Sequence, residues 1–126
     1  MPSLLSLMSS QPVRTLTAGE ELIAEGGPTG ELYVLEAGSL SVSRDGVALA
    51  TITQPGAVVG EMSLLLGRGH SATVRAETGA QVRVLADAAA ALETDLALTR
   101  QLAALLAARL DATSALIVEL SQQNQG

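Results

Sequence analysis

The strongest constraint on this chain is a change of texture at Ala86. From Ala88 to Leu120 the sequence holds neither glycine nor proline and is rich in Ala, Leu and Arg, all strong helix formers. From Val13 to about Leu85 glycines and prolines cut the chain into short runs rich in Val, Ile, Leu and Thr, the texture of strands. Strands first and helix last make an α+β fold, and many short strands with frequent turns argue for a barrel or roll. The 126 residues are the length of one domain.

The helical part carries a regular apolar seam. Leu92, Leu96, Thr99, Ala103, Leu106, Leu110, Thr113, Ile117 and Leu120 recur at alternating spacings of four and three, a heptad pattern. Asp95 is placed to cap the N-terminus of a helix that runs to Leu120, roughly 40 Å at 1.5 Å per residue. A second row, Leu98, Leu102, Leu105, Ala112 and Leu116, lies beside the seam and is interrupted by Arg109. So wide an apolar face suits a helix with two contacts, one to its own strands and one to a partner helix. The polar tail Ser121–Gly126 is expected to fray.

In the strand region, 34–40, 41–44, 47–52 and 81–85 are candidate strands. Asp45-Gly46 between two of them is the strongest hairpin signal. Leu4, Leu5, Leu7 and Met8 predict a short docking helix at the N-terminus. The core must be aliphatic, because Tyr33 is the sole aromatic residue, which counts against a site that stacks nucleic-acid bases on aromatic rings.

Charge and composition exclude further classes. The net charge is −6, with 13 acidic residues against 7 basic ones, all arginine. Such a chain lacks the basic footprint for direct nucleic-acid binding or for an anionic membrane surface. With no cysteine and one histidine it has neither the clustered ligands of a metal-dependent barrel enzyme nor a Ser–His–Asp constellation. No enzyme activity is expected, and no metal or cofactor. The N-terminus has no basic flank and does not read as a signal peptide, and no uninterrupted apolar stretch approaches the length of a membrane span. The expected location is the cytoplasm.

The chemistry lies in 56–76. A turn and strand lead to Gly60-Glu61, Met62 to Leu66 is long enough for one or two helical turns, Gly67 and Gly69 open a loop, and Thr73-Val74 starts a strand. Glycines allow close backbone approach to a ligand. The start of a helix offers N–H groups to an anion, Ser71 offers a hydroxyl, and Glu61 offers an acceptor for a sugar hydroxyl. From these residues alone, an ordinary turn explains the segment as well.

Gly60-Glu61-Met62-Ser63-Leu64-Leu65 followed by Ser71-Ala72-Thr73-Val74-Arg75-Ala76 resembles the phosphate-binding cassette of cyclic-nucleotide-binding domains. Gly19 to Gly27 and Leu32 to Leu40 resemble the first strands of that family's β-roll. Ala107 to Ser114 resembles the long helix of the catabolite activator group's sensor domain. The resemblance implies an antiparallel, jelly-roll-like β-roll with a short N-terminal helix, a short cassette helix and a long C-terminal helix. It implies one domain over 1–126, with an N-terminal segment 1–11, the roll 12–86 and C-terminal helices 87–123.

It also implies roles. Gly60 permits the turn, Glu61 accepts from the ribose 2′-hydroxyl, and Ser71 with the Ala72 N–H binds the cyclic phosphate. Thr113 and Ser114 meet the base, the latter from a partner chain, and Met62 and Ser63 belong with the binding residues. The family usually carries an arginine where this chain has His70, so His70 is the expected phosphate contact and Arg68 its possible substitute. Members of the activator group continue into a helix-turn-helix domain, and this sequence stops after the helix.

The expected function is a cyclic-nucleotide sensor, for cAMP and possibly cGMP. It would form a homodimer through the C-terminal helix and relay ligand binding to a downstream protein. The alternative is a domain of the same fold that has lost its pocket and serves as an interaction module.

Overall fold

The computed structural model describes residues 3–123. Met1 and Pro2 of the N-terminal segment, and Asn124–Gly126 of the polar tail, lie outside the described residues. The elements in chain order are α1 (Leu4–Leu7), β1 (Val13–Leu16), β2 (Glu21–Ile23), β3 (Leu32–Ala37), β4 (Leu40–Arg44), β5 (Val47–Ile52), β6 (Val58–Val59), α2 (Glu61–Leu66), β7 (Thr73–Ala76), β8 (Ala80–Leu85), α3 (Ala88–Thr94) and α4 (Leu96–Gln123). Two four-stranded antiparallel sheets, ordered β1-β8-β3-β6 and β2-β7-β4-β5, face each other as a roll. The expected fold class is the one observed.

β3 shows why the roll needs a helical cover. Its residues alternate between two cores, as a strand's period of two dictates. Tyr33 and Leu35 point between the sheets, where they meet Leu16, Leu40, Val74 and Val82. Leu32 and Val34 point outward and, with Val58 and Leu85, form an apolar floor for the helices. Leu4 and Met8 at the α1 end, Ala88 of α3, and Leu98 and Leu102 of α4 bury themselves on that floor. Both faces of β3 are therefore dry, which accounts for its nearly continuous apolar run.

The turns are where sequence and structure agree best and differ most instructively. Asp45 and Gly46, both with positive φ, make the two-residue turn that pairs Arg44 with Val47. The candidate strand at 34–40, in contrast, is divided. Gly38 has φ +86°, and a Cβ there would sit 2.7 Å from Ala80 Cα, so the chain turns at a position only glycine can fill. β3 ends at Ala37 and β4 begins at Leu40.

Asp95 separates the C-terminal helices. Its backbone N–H closes α3 on Ala91 O at 2.8 Å, while its carboxylate accepts from Leu98 N at 3.1 Å and opens α4. The heptad seam thus starts on α3 and passes to a different helix at Leu96. α4 continues through Gln123, so Ser121–Gln123, expected to fray, are helical.

By length and composition α4 is apolar enough to cross a membrane. Arg100, Arg109, Asp111 and Glu119 interrupt it, and its first half is tied to the roll through Leu98 and Leu102.

Candidate functional site

α2 is short because glycines hold both its ends. Gly60 (φ +91°) precedes it and Gly67 (φ +67°) stops it, the Gly67 N–H returning to Ser63 O. A Cβ on Gly60 would meet Glu31 O at 2.9 Å, so the turn that launches α2 is packed against the segment before β3. This turn sets two polar side chains inward: Glu61 and Ser63 are buried, while Met62 between them is half exposed.

These residues form one end of a cavity of about 390 Å³, within the roughly 300–1,000 Å³ of small-molecule sites. Its walls are aliphatic, from Ile23, Val42, Leu49, Ile52, Val59 and Val74. Its polar end gathers Gly60, Glu61, Ser63, His70 and Ser71 together with Ala72. Ser71 and Ala72 are half-buried.

His70 is fixed by its backbone on both sides, its carbonyl accepting from Gly26 N at 2.7 Å and its N–H donating to Gly27 O at 3.3 Å. Its ring sits 2.9 Å from Ser63 Oγ through Nδ1. Ser63 Oγ also donates to Gly60 O at 3.1 Å and lies 2.9 Å from Thr29 Oγ1.

The residue missed by the sequence reading is Arg109. From α4 it reaches into the cavity, donating to the Glu61 carboxylate through Nη1 and to Val58 O through Nη2 at 2.8 Å. The Glu61 side chain is 6% exposed, so its charge stays buried only because the guanidinium meets it there. The signal was present: an arginine breaking an otherwise apolar row needs a polar partner across the interface it faces.

Other expected site residues fall outside the cavity. Arg68 is exposed and does not line it, its backbone N–H serving to finish α2 on Ser63 O. Thr113 and Ser114 lie beyond Arg109 on the exposed half of α4, and the Thr113 hydroxyl donates back to Arg109 O at 3.0 Å.

A second cavity of about 390 Å³ lies on the other side of His70, with Glu21, Glu31, Thr29 and Tyr33 on its walls. The Tyr33 hydroxyl donates to Glu31 at 2.8 Å. Burial, reinforced by that carboxylate, pushes the phenol up to about 12. An anion finds two carboxylates in this cavity. In the first it finds one carboxylate already matched by an arginine, with a histidine and a serine beside it. The first cavity is the better anion site. No cluster of three or more metal-ligating side chains occurs among the described residues.

Comparison with known proteins gives a consistent result. Residues 13–91 match the family described as cyclic nucleotide-binding domain. The chain is 39% identical over 123 residues to glutaminase 2 of Bradyrhizobium diazoefficiens, covering 92% of this chain and 19% of that protein. It is 40% identical over 68 residues to a cGMP-dependent protein kinase of Caenorhabditis elegans, covering 54% of this chain and 9% of the kinase. The chain therefore spans a fifth or less of the length of these relatives. Among solved structures, the catabolite activator protein of Thermus thermophilus superposes with a TM-score of 0.73 at 28% identity, over 96% of this chain and 60% of that one.

Proposed function

Because the chain belongs to the cyclic nucleotide-binding domain family, we propose that its first cavity takes a cyclic nucleotide, cAMP in preference to cGMP, and that α4 carries the response to a partner. The observation that carries this reading is the meeting of Glu61, His70, Ser71 and Ala72 at one end of an otherwise aliphatic cavity, with Arg109 entering from α4. The apolar walls suit the base and sugar faces, and the polar end suits a singly charged cyclic phosphate. The preference for cAMP is supported by the likeness to a solved cAMP-bound PfPKA-R structure, 28% identical over 62% of this chain, against 54% of the chain for the cGMP-dependent kinase.

Arg109 supplies the relay. Glu61 is the acceptor that a ribose 2′-hydroxyl would use, and it is engaged by α4. A nucleotide that takes a share of this carboxylate changes the helix's hold on the roll. Ligand and helix position are thereby coupled, as a sensor requires. The exposed apolar face of α4 beyond Arg109 would then pair with a second copy of the chain through the heptad seam. The downstream listener is a catalytic or regulatory segment of the kind that makes up most of the length of the multidomain relatives.

Titration calorimetry with cAMP and cGMP tests the reading. Binding with cAMP preferred supports it. Glu61→Ala is expected to weaken cAMP binding by about 1.5–3 kcal/mol, the range for a hydrogen bond to a charged group, while the far-ultraviolet spectrum stays that of the folded chain. An unchanged affinity removes Glu61 from the contact.

One observation favours a second reading, a non-binding interaction module of the same fold. Arg68 lies outside the cavity, so the phosphate has no arginine from the cassette itself. Absence of binding for both nucleotides decides for that reading.

A further inference from the structure

Ser63 lines the polar end of the cavity but has no separate role in the reading above, and its hydroxyl is closely held. It is 3% exposed and has three partners: Gly60 O at 3.1 Å, Thr29 Oγ1 at 2.9 Å and His70 Nδ1 at 2.9 Å. A hydroxyl has one proton to give and two lone pairs to receive with. A carbonyl only accepts, so the Gly60 contact is a hydrogen bond only if Ser63 donates there. The other two partners must then donate to Ser63. One assignment satisfies all three contacts: Thr29 gives its hydroxyl proton to Ser63, and His70 gives the proton on Nδ1.

A neutral imidazole carries one proton. With Nδ1 holding it, Nε2 is a bare acceptor, and a phosphate oxygen facing it meets a lone pair. Only the protonated ring offers a second N–H. Resting on the reading that the first cavity holds a cyclic phosphate, we infer that Ser63 is a positioning residue that fixes the His70 tautomer and so makes nucleotide binding depend on the uptake of one proton by His70. The chain would then read a nucleotide and pH together, which the fixed charge of an arginine at the same position would not allow.

The charged and titratable groups around the ring do not blur this link. Glu61 of α2 and Arg109 of α4 face the ring from the first cavity, paired with each other. Glu21 of β2, and Glu31 with Tyr33 at the start of β3, face it from the second. Carboxylates, arginines and phenols ordinarily keep one protonation state between pH 6 and 8, which leaves an imidazole as the group of this set able to change its own. His70 is the chain's only histidine.

The test uses the whole chain and two independent readouts. Nitrogen-15 NMR of the single imidazole at about pH 8, without nucleotide, is expected to find the proton on Nδ1. A proton on Nε2 overturns the inference whatever the nucleotide does. Calorimetry with cAMP, in buffers of different ionisation enthalpy from about pH 6 to 8, is expected to show uptake of close to one proton above neutrality. Affinity should fall toward tenfold per pH unit there, the limit for one linked proton.

Ser63→Ala frees the ring to carry its proton on Nε2 and is expected to flatten the profile to less than about twofold. His70→Gln, which also reports the background from the chain's amino group, should flatten it too. A Ser63→Ala profile as steep as that of the unsubstituted chain overturns the role of Ser63. Nucleotide binding without proton uptake overturns the linkage alone. Failure of cAMP to bind at any pH overturns the nucleotide reading, and the linkage with it, while the NMR result still decides the tautomer.

Discussion

The two halves of α4 both carry large aliphatic side chains but stand in different environments. In the first half Leu98 and Leu102 are buried, Leu105 and Leu106 are half-buried, and Arg109 ends the docked stretch with its bonds to Glu61 and Val58. In the second half, from Leu110 to Gln123, every residue is exposed, including Leu110 at 69%, Leu116 at 53%, Ile117 at 58% and Val118 at 55%. The presence of large apolar side chains does not by itself decide which half is docked. The floor does: Leu32, Val34, Val58 and Leu85 offer a finite apolar surface, and α4 outruns it. A contiguous apolar stripe left in water on a long helix marks a contact surface rather than a core. The first half serves the fold, and on the proposed pairing the second half serves a partner helix.

The largest effects are expected where the helix is docked. Leu102→Ala removes a 3% exposed side chain from the apolar cluster that docks α4 on the roll. It should cost about 2–5 kcal/mol in chemical denaturation, the range for large-to-small changes in cores. The matching change in the free half, Ile117→Ala, should stay within about 0.5 kcal/mol at concentrations where the chain is monomeric. Equal costs at the two positions would abolish the distinction between the halves.

Arg109→Ala probes the boundary and should have an intermediate effect. It leaves the Glu61 carboxylate buried without its cation. Because the arginine is 42% exposed, the loss should be about 1–2 kcal/mol, between the values for exposed and buried pairs. The sharper readout is hydrogen exchange. Amides of the first half of α4 should lose protection, because Arg109 is what ties the end of that half to the roll. Protection unchanged there would mean that Leu98 and Leu102 alone hold the helix, and that the ion pair is not the coupling between cavity and helix.

Much of this was legible in the residues, for reasons that can be named. The texture change at Ala86, the Asp45-Gly46 hairpin and the Asp95 cap are local signals, each decided by a few neighbouring residues and a backbone preference. The cavity was legible only in part. The run 60–72 contains the polar end because a single turn and loop build it, so one stretch of chain carries Glu61, Ser63, His70, Ser71 and Ala72 to one place. Arg109 joins from far along the chain, and nothing local says that its row faces Glu61. The division of the heptad seam was hidden for a similar reason. Periodicity reports which residues share a face, but how far the floor extends is a property of β3, β6 and β8. Likewise, the resemblance sets His70 where the family is expected to carry an arginine, yet only the packing of α2 brings Ser63 against its ring.

The smallest effect on stability, and the most telling for the free half, is expected from Leu110→Glu. Leu110 is the first seam position past Arg109 and is already 69% exposed. A glutamate there loses almost no burial within one chain, and glutamate is as good a helix former as most. Unfolding of the isolated chain should therefore shift by about 0.5 kcal/mol or less. In a helix pair the same residue stands at a buried seam position, where a carboxylate loses its water and, facing its own copy, meets a like charge. Sedimentation should then find dimers of the unsubstituted chain and monomers of the variant, with the two unfolding alike when dilute. If the unsubstituted chain is monomeric with and without cAMP, a second copy is not what covers the second half of α4. If instead the variant unfolds far more easily as a monomer, Leu110 is part of the docked half, and the boundary at Arg109 is misplaced.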